Sequence, residues 1–413
     1  MMKRKDPNVF RILHSADWHL GKTLNELSRE EEHELFLDWL LKQVKEYGVD
    51  VVLVAGDVFD TANPPKSAEK LYFNFVADLF KQTEACLVLV AGNHDSVTQL
   101  EAPKQVLQSV RTYVQGVVSE NPSERLLLLP DDENPKVAIA LVPFLREKDL
   151  RLGRLGESQQ EVRTAISEGI TRIYSETAEA VKQRNIGVPV IATGHLTVTG
   201  SSTSESERDI HIGGLGDVSS SVFPQEFAYV ALGHLHRPQA TENGRVRYSG
   251  SPIPLSFSEA NDQKEVRIID VTNEGVVQNA IEIPVFRKLT QLRTDFCDLE
   301  GKFGTLKAEN AGGLTTWVEV VLTDHNGLVD ANTEVRRLAQ KYPFDILKVM
   351  LEGTSNRSLE SFEQLSNQDV EDMLGNPHKV FERVLDQNDV SEEERKGLRL
   401  AYQQILEQVQ QSL

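Results

Sequence analysis

The sequence is poor in cysteine and has no long apolar run. Its 413 residues include only Cys86 and Cys297, and two scattered cysteines in apolar surroundings suit a reducing cytosol better than a disulfide scaffold. No stretch of about eighteen apolar residues occurs, so no transmembrane helix is expected. The basic residues 3–5 are followed at once by Asp6 and Pro7, not by the apolar segment of a signal peptide. These absences predict a cytoplasmic protein.

Positive charge is also in short supply. The chain has 44 Lys and Arg against 63 Asp and Glu, a net charge of −19 at neutral pH. Such a surface repels the phosphate backbone of nucleic acids and anionic membranes. Any nucleic-acid binding must therefore be local, or assisted by metal ions or by a partner. With 39 % apolar and 26 % charged residues, the composition fits a soluble globular protein of two or three domains.

Apolar, β-branched runs alternate with longer helical patterns over the first two thirds of the chain. Near-continuous apolar runs predict strands that are buried on both faces, at residues 9–14, 50–55, 85–91, 137–142, 189–193 and 228–232. Amphipathic patterns predict helices at residues 30–47, 66–80 and 159–184. Strands that alternate with helices predict a layered α/β architecture.

The pattern changes near Pro284. Beyond it, a strand at 315–322, a helix at 333–341 and a strand at 344–351 predict a small α+β module. A polar linker at 353–358 follows, and the tail beyond it has helical character. We therefore expect three parts, which are residues 1–285, 286–353 and 354–413.

Polar side chains follow five of the predicted strands at the point where each strand ends. They belong to the segments Asp17-Trp18-His19, Gly56-Asp57, Gly92-Asn93-His94-Asp95, Gly194-His195 and Gly233-His234-Leu235-His236. Ligands of open α/β sheets bind beyond the carboxyl ends of strands, so we expect these side chains to form one site. Each segment alone is common in ordinary loops. Five of them in this order, each closing an apolar strand, are improbable as coincidence.

Carboxylates and imidazoles without thiolates are typical ligands of manganese, iron or zinc. The candidate ligands are Asp17, His19, Asp57, Asn93, His195, His234 and His236. Seven side chains exceed what one tetrahedral ion takes, which favours two ions with Asp57 as the bridge. Two ions about 3.5–4 Å apart can clamp the attacking and leaving oxygens of a phosphoryl displacement. Because only two of the seven ligands are anionic, positive charge remains for a phosphate.

The series D-x-H, G-D, G-N-H-D, G-H and G-H-x-H resembles that of the calcineurin-like metallophosphoesterases. Residues 56–61, 192–197 and 248–257 further resemble the branch that contains bacterial nuclease subunits. The resemblance is strong over residues 10–290, weaker in the small module, and rests on helical character alone in the tail. It implies an α/β fold with a β-sandwich flanked by helices, plus a small α+β capping domain and C-terminal helices.

The resemblance also implies roles for the site residues. It assigns Asp17, His19 and His236 to one ion, Asn93, His195 and His234 to the other, and Asp57 to both. His94 would face the phosphate and assist the leaving group, and Asp95 would orient His94. Some relatives carry a histidine three residues after the bridging aspartate. Asp60 stands at that position here, and we assign it no metal role.

The function implied by the resemblance is that of a nuclease subunit that uses two divalent ions, with manganese expected. It would act as a 3′→5′ exonuclease on double-stranded DNA ends and as an endonuclease on hairpins, in DNA repair, recombination and replication. It would form a homodimer within a heterotetramer, and its ATPase partner would bind ATP. The alternatives are a phosphoesterase acting on a small nucleotide or phosphoprotein, and a non-catalytic scaffold. The filled site disfavours the scaffold, and the extra module and tail disfavour the small-molecule hydrolase.

Other features are less specific. Residues 16–23 match a relaxed phosphate-loop pattern, but Asp17, Trp18 and Leu20 do not suit such a loop. Two groups in the middle of the chain either contact the substrate or are simply solvent-exposed. They are Arg146, Lys148, Arg151 and Arg154, which could contact a DNA backbone, and Arg208 with His211. An apolar stripe in the last helix docks either on the partner's coiled coil or on this chain itself, and it consists of Leu398, Tyr402, Ile405 and Val409.

Overall fold

The computed structural model describes residues 6, 9–151, 157–204, 206–207, 218–241, 244–306, 313–324, 330–352, 395, 399 and 402. The chain divides into two compact units. The first takes in Met1–Gln291, Lys307–Glu319 and Pro343–Leu347, and the second takes in Leu292–Leu306, Val320–Tyr342 and Lys348–Leu413. The three-part division at residues 285 and 353 stays a prediction.

The strands follow the apolar runs of the sequence. In chain order they are β1 (Phe10–Ser15), β2 (Thr23–Leu24), β3 (Leu27–Ser28), β4 (Val51–Ala55), β5 (Cys86–Val90), β6 (Thr112–Gln115), β7 (Leu126–Leu129), β8 (Val137–Ala140), β9 (Val190–His195), β10 (Phe227–Gly233), β11 (Gln239–Thr241), β12 (Val246–Tyr248), β13 (Glu265–Thr272), β14 (Gly275–Glu282), β15 (Leu289–Thr294), β16 (Thr316–Leu322) and β17 (Phe344–Leu351). All six strands predicted in the first two thirds are present, with ends that differ by at most two residues.

The helices lie between the strands. In chain order they are α1 (Glu30–Tyr47), α2 (Lys66–Gln82), α3 (Val97–Glu101), α4 (Lys104–Ser109), α5 (Glu147–Leu150), α6 (Gln159–Gln183), α7 (Leu299–Thr305) and α8 (Ala331–Ala339). Helix α6 begins with a capping box between Ser158 and Glu161, which fixes its first residue. Over the described ranges, no helix has the length and apolar character that a membrane span requires.

Two six-stranded sheets build the first unit. Their strand orders are β14-β13-β1-β4-β5-β6 and β11-β12-β10-β9-β8-β7. Strands β1, β4 and β5 run parallel to one another, and so do β8, β9 and β10. The carboxyl ends of the central strands therefore meet at one edge of each sheet.

The core consists of three apolar layers. Between the sheets, Ile12 and Val51 of one sheet belong to the same buried cluster as Ile191 and Ala231 of the other. Helices α1 and α2 cover the outer face of the first sheet, and α6 covers the outer face of the second. This confirms the predicted α/β fold, a β-sandwich flanked by helices.

The module beyond Pro284 contains more structure than the sequence predicts. Its three-stranded sheet has the order β15-β16-β17, and neither strand β15 nor helix α7 was expected. The predicted helix 333–341 begins earlier, at Ala331, because the side chain of Asp330 caps it by accepting a hydrogen bond from Thr333 N at 3.0 Å. The predicted linker and tail lie outside the described residues, apart from Arg395, Arg399 and Tyr402.

Candidate metal centre

The predicted site residues gather where the parallel strands of the two sheets end. Asp17 and His19 follow β1, Asp57 follows β4, and Asn93, His94 and Asp95 follow β5. From the second sheet, His195 is the last residue of β9, whereas His234 and His236 follow β10. The site is therefore shared by both halves of the sandwich.

Several of these residues adopt a backbone conformation that is rare outside glycine. Asp17, His19 and Asp57 have φ angles of 52°, 46° and 50°, and His234 has a φ angle of 97°. Such conformations cost about 1–3 kcal/mol each and persist only where the surrounding structure holds them. Here the loops brace one another, since Asp17 N donates to Gly56 O and His19 N donates to Asp57 O, both at 3.0 Å.

The glycines that precede the ligands allow the loops to approach closely. A Cβ atom on Gly92 would lie 2.1 Å from Oδ1 of Asp57 and 2.4 Å from its backbone nitrogen. A Cβ atom on Gly56, whose φ is 93°, would lie 2.1 Å from Nδ1 of His195. A side chain at either position would therefore displace a ligand.

One group of donors combines residues from both sheets. Ligand atoms of Asp17, His19 and His236 all lie within 4.8 Å of one another, and the three residues are buried. The rings of His19 and His236 meet edge to face at 5.1 Å. The second oxygen of Asp17 and Nε2 of His19 have no hydrogen-bond partner among the described residues. Buried polar atoms without partners are costly, so these two atoms fit a cation.

A second group surrounds His195. Its Nε2 lies 2.8 Å from Oδ1 of Asn93 and 3.3 Å from Oδ2 of Asp57. The ring of His234 packs against that of His195 at 5.4 Å, and the backbone N–H of His234 donates to Asp17 at 2.8 Å. Asp57 also lies 3.6 Å from Nε2 of His19, so it stands between the two groups.

The loop after β5 places His94 beside this cluster. A ligand atom of His94 lies within 4.8 Å of those of His19 and Asp57, and His94 N donates to Asp57 at 2.9 Å. The Nδ1 atom of His94 lies 2.6 Å from the backbone carbonyl of Asp60. Asp95 holds the loops together, because its carboxylate accepts hydrogen bonds from the amides of Val58, Phe59 and Gly92 at 3.2, 3.0 and 2.9 Å. Its orienting role toward His94 stays a prediction.

The electrostatics of the site favour a bound cation. Burial lowers the pKa values of His19, His234 and His236, so their ring nitrogens remain neutral and able to ligate at neutral pH. Burial also acts to lower the pKa of His195, but the Asp57 carboxylate outweighs it and raises that pKa to about 9. The Asp57 carboxylate, which lies between the two groups of donors, thus attracts positive charge. Together with the orphaned atoms of Asp17 and His19, this donor set fits divalent metal ions.

Two further groups support the ligands, namely Glu259, which was missed in the sequence, and Asp60, which was assigned no metal role. The Nδ1 atom of His236 lies 3.3 Å from Glu259 and 2.6 Å from the hydroxyl of Ser206. The side chain of Asp60 lies 3.2 Å from Nδ1 of His19. An acid two residues after the segment 248–257 was the only signal that the sequence offered for Glu259. Nothing in the sequence indicates that the backbone of Asp60 contacts His94.

The less specific candidates are paired with acids, packed in the core or outside the described residues. Arg146 pairs with Asp149 at 3.2 Å, and Arg151 pairs with Glu157 at 2.6 Å, so acids of the same segment offset much of this basic stretch. Trp18 packs in the core against Phe36 and Phe75, which excludes a phosphate loop at residues 16–23. The remaining candidates lie outside the described residues. They are Arg154, Arg208 and His211, and, from the tail stripe, Leu398, Ile405 and Val409.

Comparison with known proteins places these observations in a family. The model of the calcineurin-like phosphoesterases matches residues 10–238, and the model described as the type 5 capsule protein repressor C-terminal domain matches residues 285–389. SbcD, the nuclease subunit of SbcCD, from Escherichia coli K12 is 35 % identical over 397 residues, which cover 93 % of this chain and 95 % of the relative. The proteins of the same name from Rhodobacter capsulatus and Bacillus subtilis are 40 % and 38 % identical. These two matches cover 68 % and 63 % of this chain and 71 % and 66 % of the relatives.

The E. coli match runs through the sandwich, the metal centre and the module beyond Pro284. It extends over nearly the whole of both chains, so it reflects more than a shared catalytic fold. The chain therefore belongs to the SbcD family of SbcCD nuclease subunits, within the calcineurin-like phosphoesterases.

Proposed function

We propose that this chain is a metal-dependent DNA nuclease that works as the SbcD component of an SbcCD-type complex. Its substrates are double-stranded DNA ends, which it degrades as a 3′→5′ exonuclease, and hairpins, which it opens as an endonuclease. The observation that carries the proposal is the cluster of two buried carboxylates, four buried imidazoles and one partly buried amide at the strand ends of both sheets. This donor set suits phosphodiester hydrolysis and includes no nucleophilic cysteine.

The centre would take two divalent ions, manganese in our proposal. Asp17, His19 and His236 would hold one, Asn93, His195 and His234 would hold the other, and Asp57 would serve both. The close approach of Asp57 to both His19 and His195 supports the bridging role. When bound, the ions supply a hydroxide near neutral pH and offset the charge of the scissile phosphate.

His94 is the residue that we assign to the leaving group. Its Nδ1 donates to the backbone carbonyl of Asp60, so in the doubly protonated ring Nε2 is the atom that gives a proton or a hydrogen bond to the departing oxygen. Asp95 acts indirectly, because it ties the loop that carries His94 to the loop after Asp57.

The partner in this proposal is an SbcC-type ATPase, which binds ATP in place of this chain. The C-terminal part matches a separate family model over residues 285–389 and contributes none of the proposed metal ligands, which supports a role for it other than metal binding. We propose a homodimer of this chain within a heterotetramer, active in the cytoplasm on double-stranded and hairpin DNA without membrane contact. The net charge of −19 supports partner-assisted rather than autonomous DNA binding.

The test is cleavage of a labelled DNA duplex with one hairpin end, in the presence of manganese, magnesium, zinc or a chelator. His94→Gln serves as the inactive variant, and a small aryl phosphodiester serves as a second substrate. We expect manganese-dependent DNA cleavage by the wild type. The variant should bind manganese as tightly as the wild type and cleave neither substrate.

Each failure has its own meaning. Hydrolysis of the small ester with DNA left intact, even after addition of the ATPase, would replace the nuclease by a small-molecule phosphoesterase. Loss of manganese binding in His94→Gln would show that His94 is a ligand rather than the proton donor.

Removal of residues after 353 should abolish ATPase binding while leaving hydrolysis of the small ester in place.

A further inference from the structure

The residue Asp60 contacts two histidines of the centre in different ways. We propose that Asp60 is a positioning residue that sets His19 through its carboxylate and His94 through its backbone carbonyl. This inference deepens the proposed function and rests on it for the role of His94. The metal-binding half rests on the geometry of the ligands alone.

The first half concerns His19. Oδ1 of Asp60 lies 3.2 Å from Nδ1 of His19, and an ionised carboxylate can only accept a hydrogen bond. The proton of the neutral ring is therefore on Nδ1, which leaves the lone pair on Nε2. Nε2 is the buried atom that lies 3.6 Å from Asp57. A carboxylate behind a histidine in this manner fixes the tautomer and the orientation of a metal ligand.

The second half concerns His94. The carbonyl oxygen of Asp60 lies 2.6 Å from Nδ1 of His94, and a carbonyl can only accept. The rings of His19 and His94 stand edge to face, with centroids 4.8 Å apart and planes at 85°. One residue thus fixes the protonated nitrogen of a metal ligand and that of the neighbouring proton donor.

The position of Asp60 is itself fixed by the loop after β1. Asp60 N donates to Leu20 O at 3.1 Å, and Lys22 Nζ lies 3.0 Å from the same Oδ1 that His19 contacts. The simplest alternative is that Asp60 only pairs with Lys22 to hold the loops together. The two readings differ, because loop-holding requires Lys22 whereas positioning of His19 does not.

Four variants separate these readings. Asp60→Ala removes both side-chain contacts, and Asp60→Gly additionally frees the backbone that holds His94. Lys22→Met removes the other partner of Asp60. Asp270→Asn is the matched control, because Asp270 forms a 2.6 Å ion pair with Arg11 away from the centre.

The full-length chain is stripped of metal with a chelator and titrated with manganese by calorimetry. Thermal unfolding is followed by circular dichroism. Turnover of the aryl phosphodiester is measured at saturating manganese. Nitrogen-15 spectra of histidine-labelled, metal-free protein report the tautomer of His19.

In Asp60→Ala we expect one of the two manganese sites to weaken by about 10–100-fold, with the other site unchanged. The spectrum should lose the Nδ1-protonated signature of His19. Asp60→Gly should bind manganese as Asp60→Ala does but turn over more slowly at saturating metal. Lys22→Met and Asp270→Asn should bind manganese as the wild type does.

Unchanged manganese affinity in a folded Asp60→Ala variant would overturn the role at His19. Equal turnover by Asp60→Ala and Asp60→Gly would overturn the role at His94. A loss in Lys22→Met as large as that in Asp60→Ala would leave only loop-holding. If Asp60→Ala does not fold, Asp60→Leu carries the test, because Leu has similar volume and accepts no hydrogen bond from His19. We expect weakened binding of one ion, and unchanged binding would overturn the proposal. A wild type that cleaves no DNA would refute the proposed nuclease. The comparison of manganese affinity between the wild type and Asp60→Ala would still decide the role of Asp60 at His19.

Discussion

The carboxylate of Glu259 lies 3.3 Å from Nδ1 of His236, and it is completely buried. Its other oxygen lies 2.6 Å from the ammonium of Lys264, which is 4 % exposed. Burial acts to raise the pKa of Glu259, but His236 and Lys264 outweigh it and hold that pKa well below its ordinary range. A metal ligand is thus backed by a buried carboxylate that is ionised at neutral pH.

Removal of the cation alone should lower the free energy of unfolding far more than removal of both charges of this pair. We expect Lys264→Met to lower the free energy of unfolding by about 3–5 kcal/mol, because it leaves the Glu259 charge buried without its cation. The double variant Glu259→Gln/Lys264→Met should recover most of that loss. Urea unfolding of the metal-free chain measures both values. A double variant as unstable as the single one would mean that packing, not charge, explains the effect.

The close contact between the loops after β4 and β5 predicts the effect of a single methyl group. Gly92→Ala would bring a Cβ atom within 2.4 Å of the Asp57 backbone, which cannot move aside as a side-chain tip can. We expect loss of manganese binding and a lower midpoint of thermal unfolding. Gly187→Ala is the matched control, since its Cβ atom would meet nothing within 4 Å and should change stability by less than about 0.5 kcal/mol. Manganese binding by Gly92→Ala at wild-type affinity would contradict this account.

The parts of the fold that the sequence predicts best are those where one local rule decides. Strand β4 is apolar throughout and buried at every residue, and helix α1 has the predicted bounds. The segments after the strands were predicted to form one site because parallel strands end at a common edge, and the structure does bring them together.

The parts that were missed depend on contacts between distant segments. Strand β14 has no fully buried residue and no regular alternation of polar and apolar side chains, and it is fixed by its pairing with β13 rather than by its own sequence. Glu259 stands 23 residues after His236, and no spacing rule links a carboxylate to a ring at that separation. Asp60 contacts His94 through its backbone, and a backbone carbonyl has no signature in the sequence.

Metal binding should stabilise the fold, because the ligands come together only in the folded chain. For each site, manganese at one hundred times its dissociation constant should add about 2.7 kcal/mol to the free energy of unfolding. Asp57→Asn removes the group that lies between both sets of ligands, so manganese should raise its unfolding midpoint little or not at all. Thermal unfolding with manganese and with chelator measures the difference. An undiminished shift in Asp57→Asn would contradict a bridging role.

Acid should destabilise the chain through histidines buried outside the ligand set. Burial, with a smaller effect of the Arg29 charge, lowers the pKa of His33 to about 3, and burial lowers that of His14 to about 3 as well. An unfolded histidine has a pKa of about 6.5, so the unfolded chain binds more protons than the folded one between these two values. The stability that each neutral ring contributes is therefore complete above pH 6.5 and is lost as the pH falls toward 3.

The size of this effect follows from the shift. Between pH 7 and pH 5, each such histidine should lower the free energy of unfolding by about 2 kcal/mol. His33→Leu removes one titrating ring at similar volume, so its stability should fall by about 2 kcal/mol less than that of the wild type over the same interval. Urea unfolding of metal-free protein at the two pH values gives this difference directly. If the wild type and His33→Leu lost equal stability between the two pH values, His33 would be protonated in the folded state as readily as in the unfolded one. Its buried surroundings would then have to hold a partner for that charge.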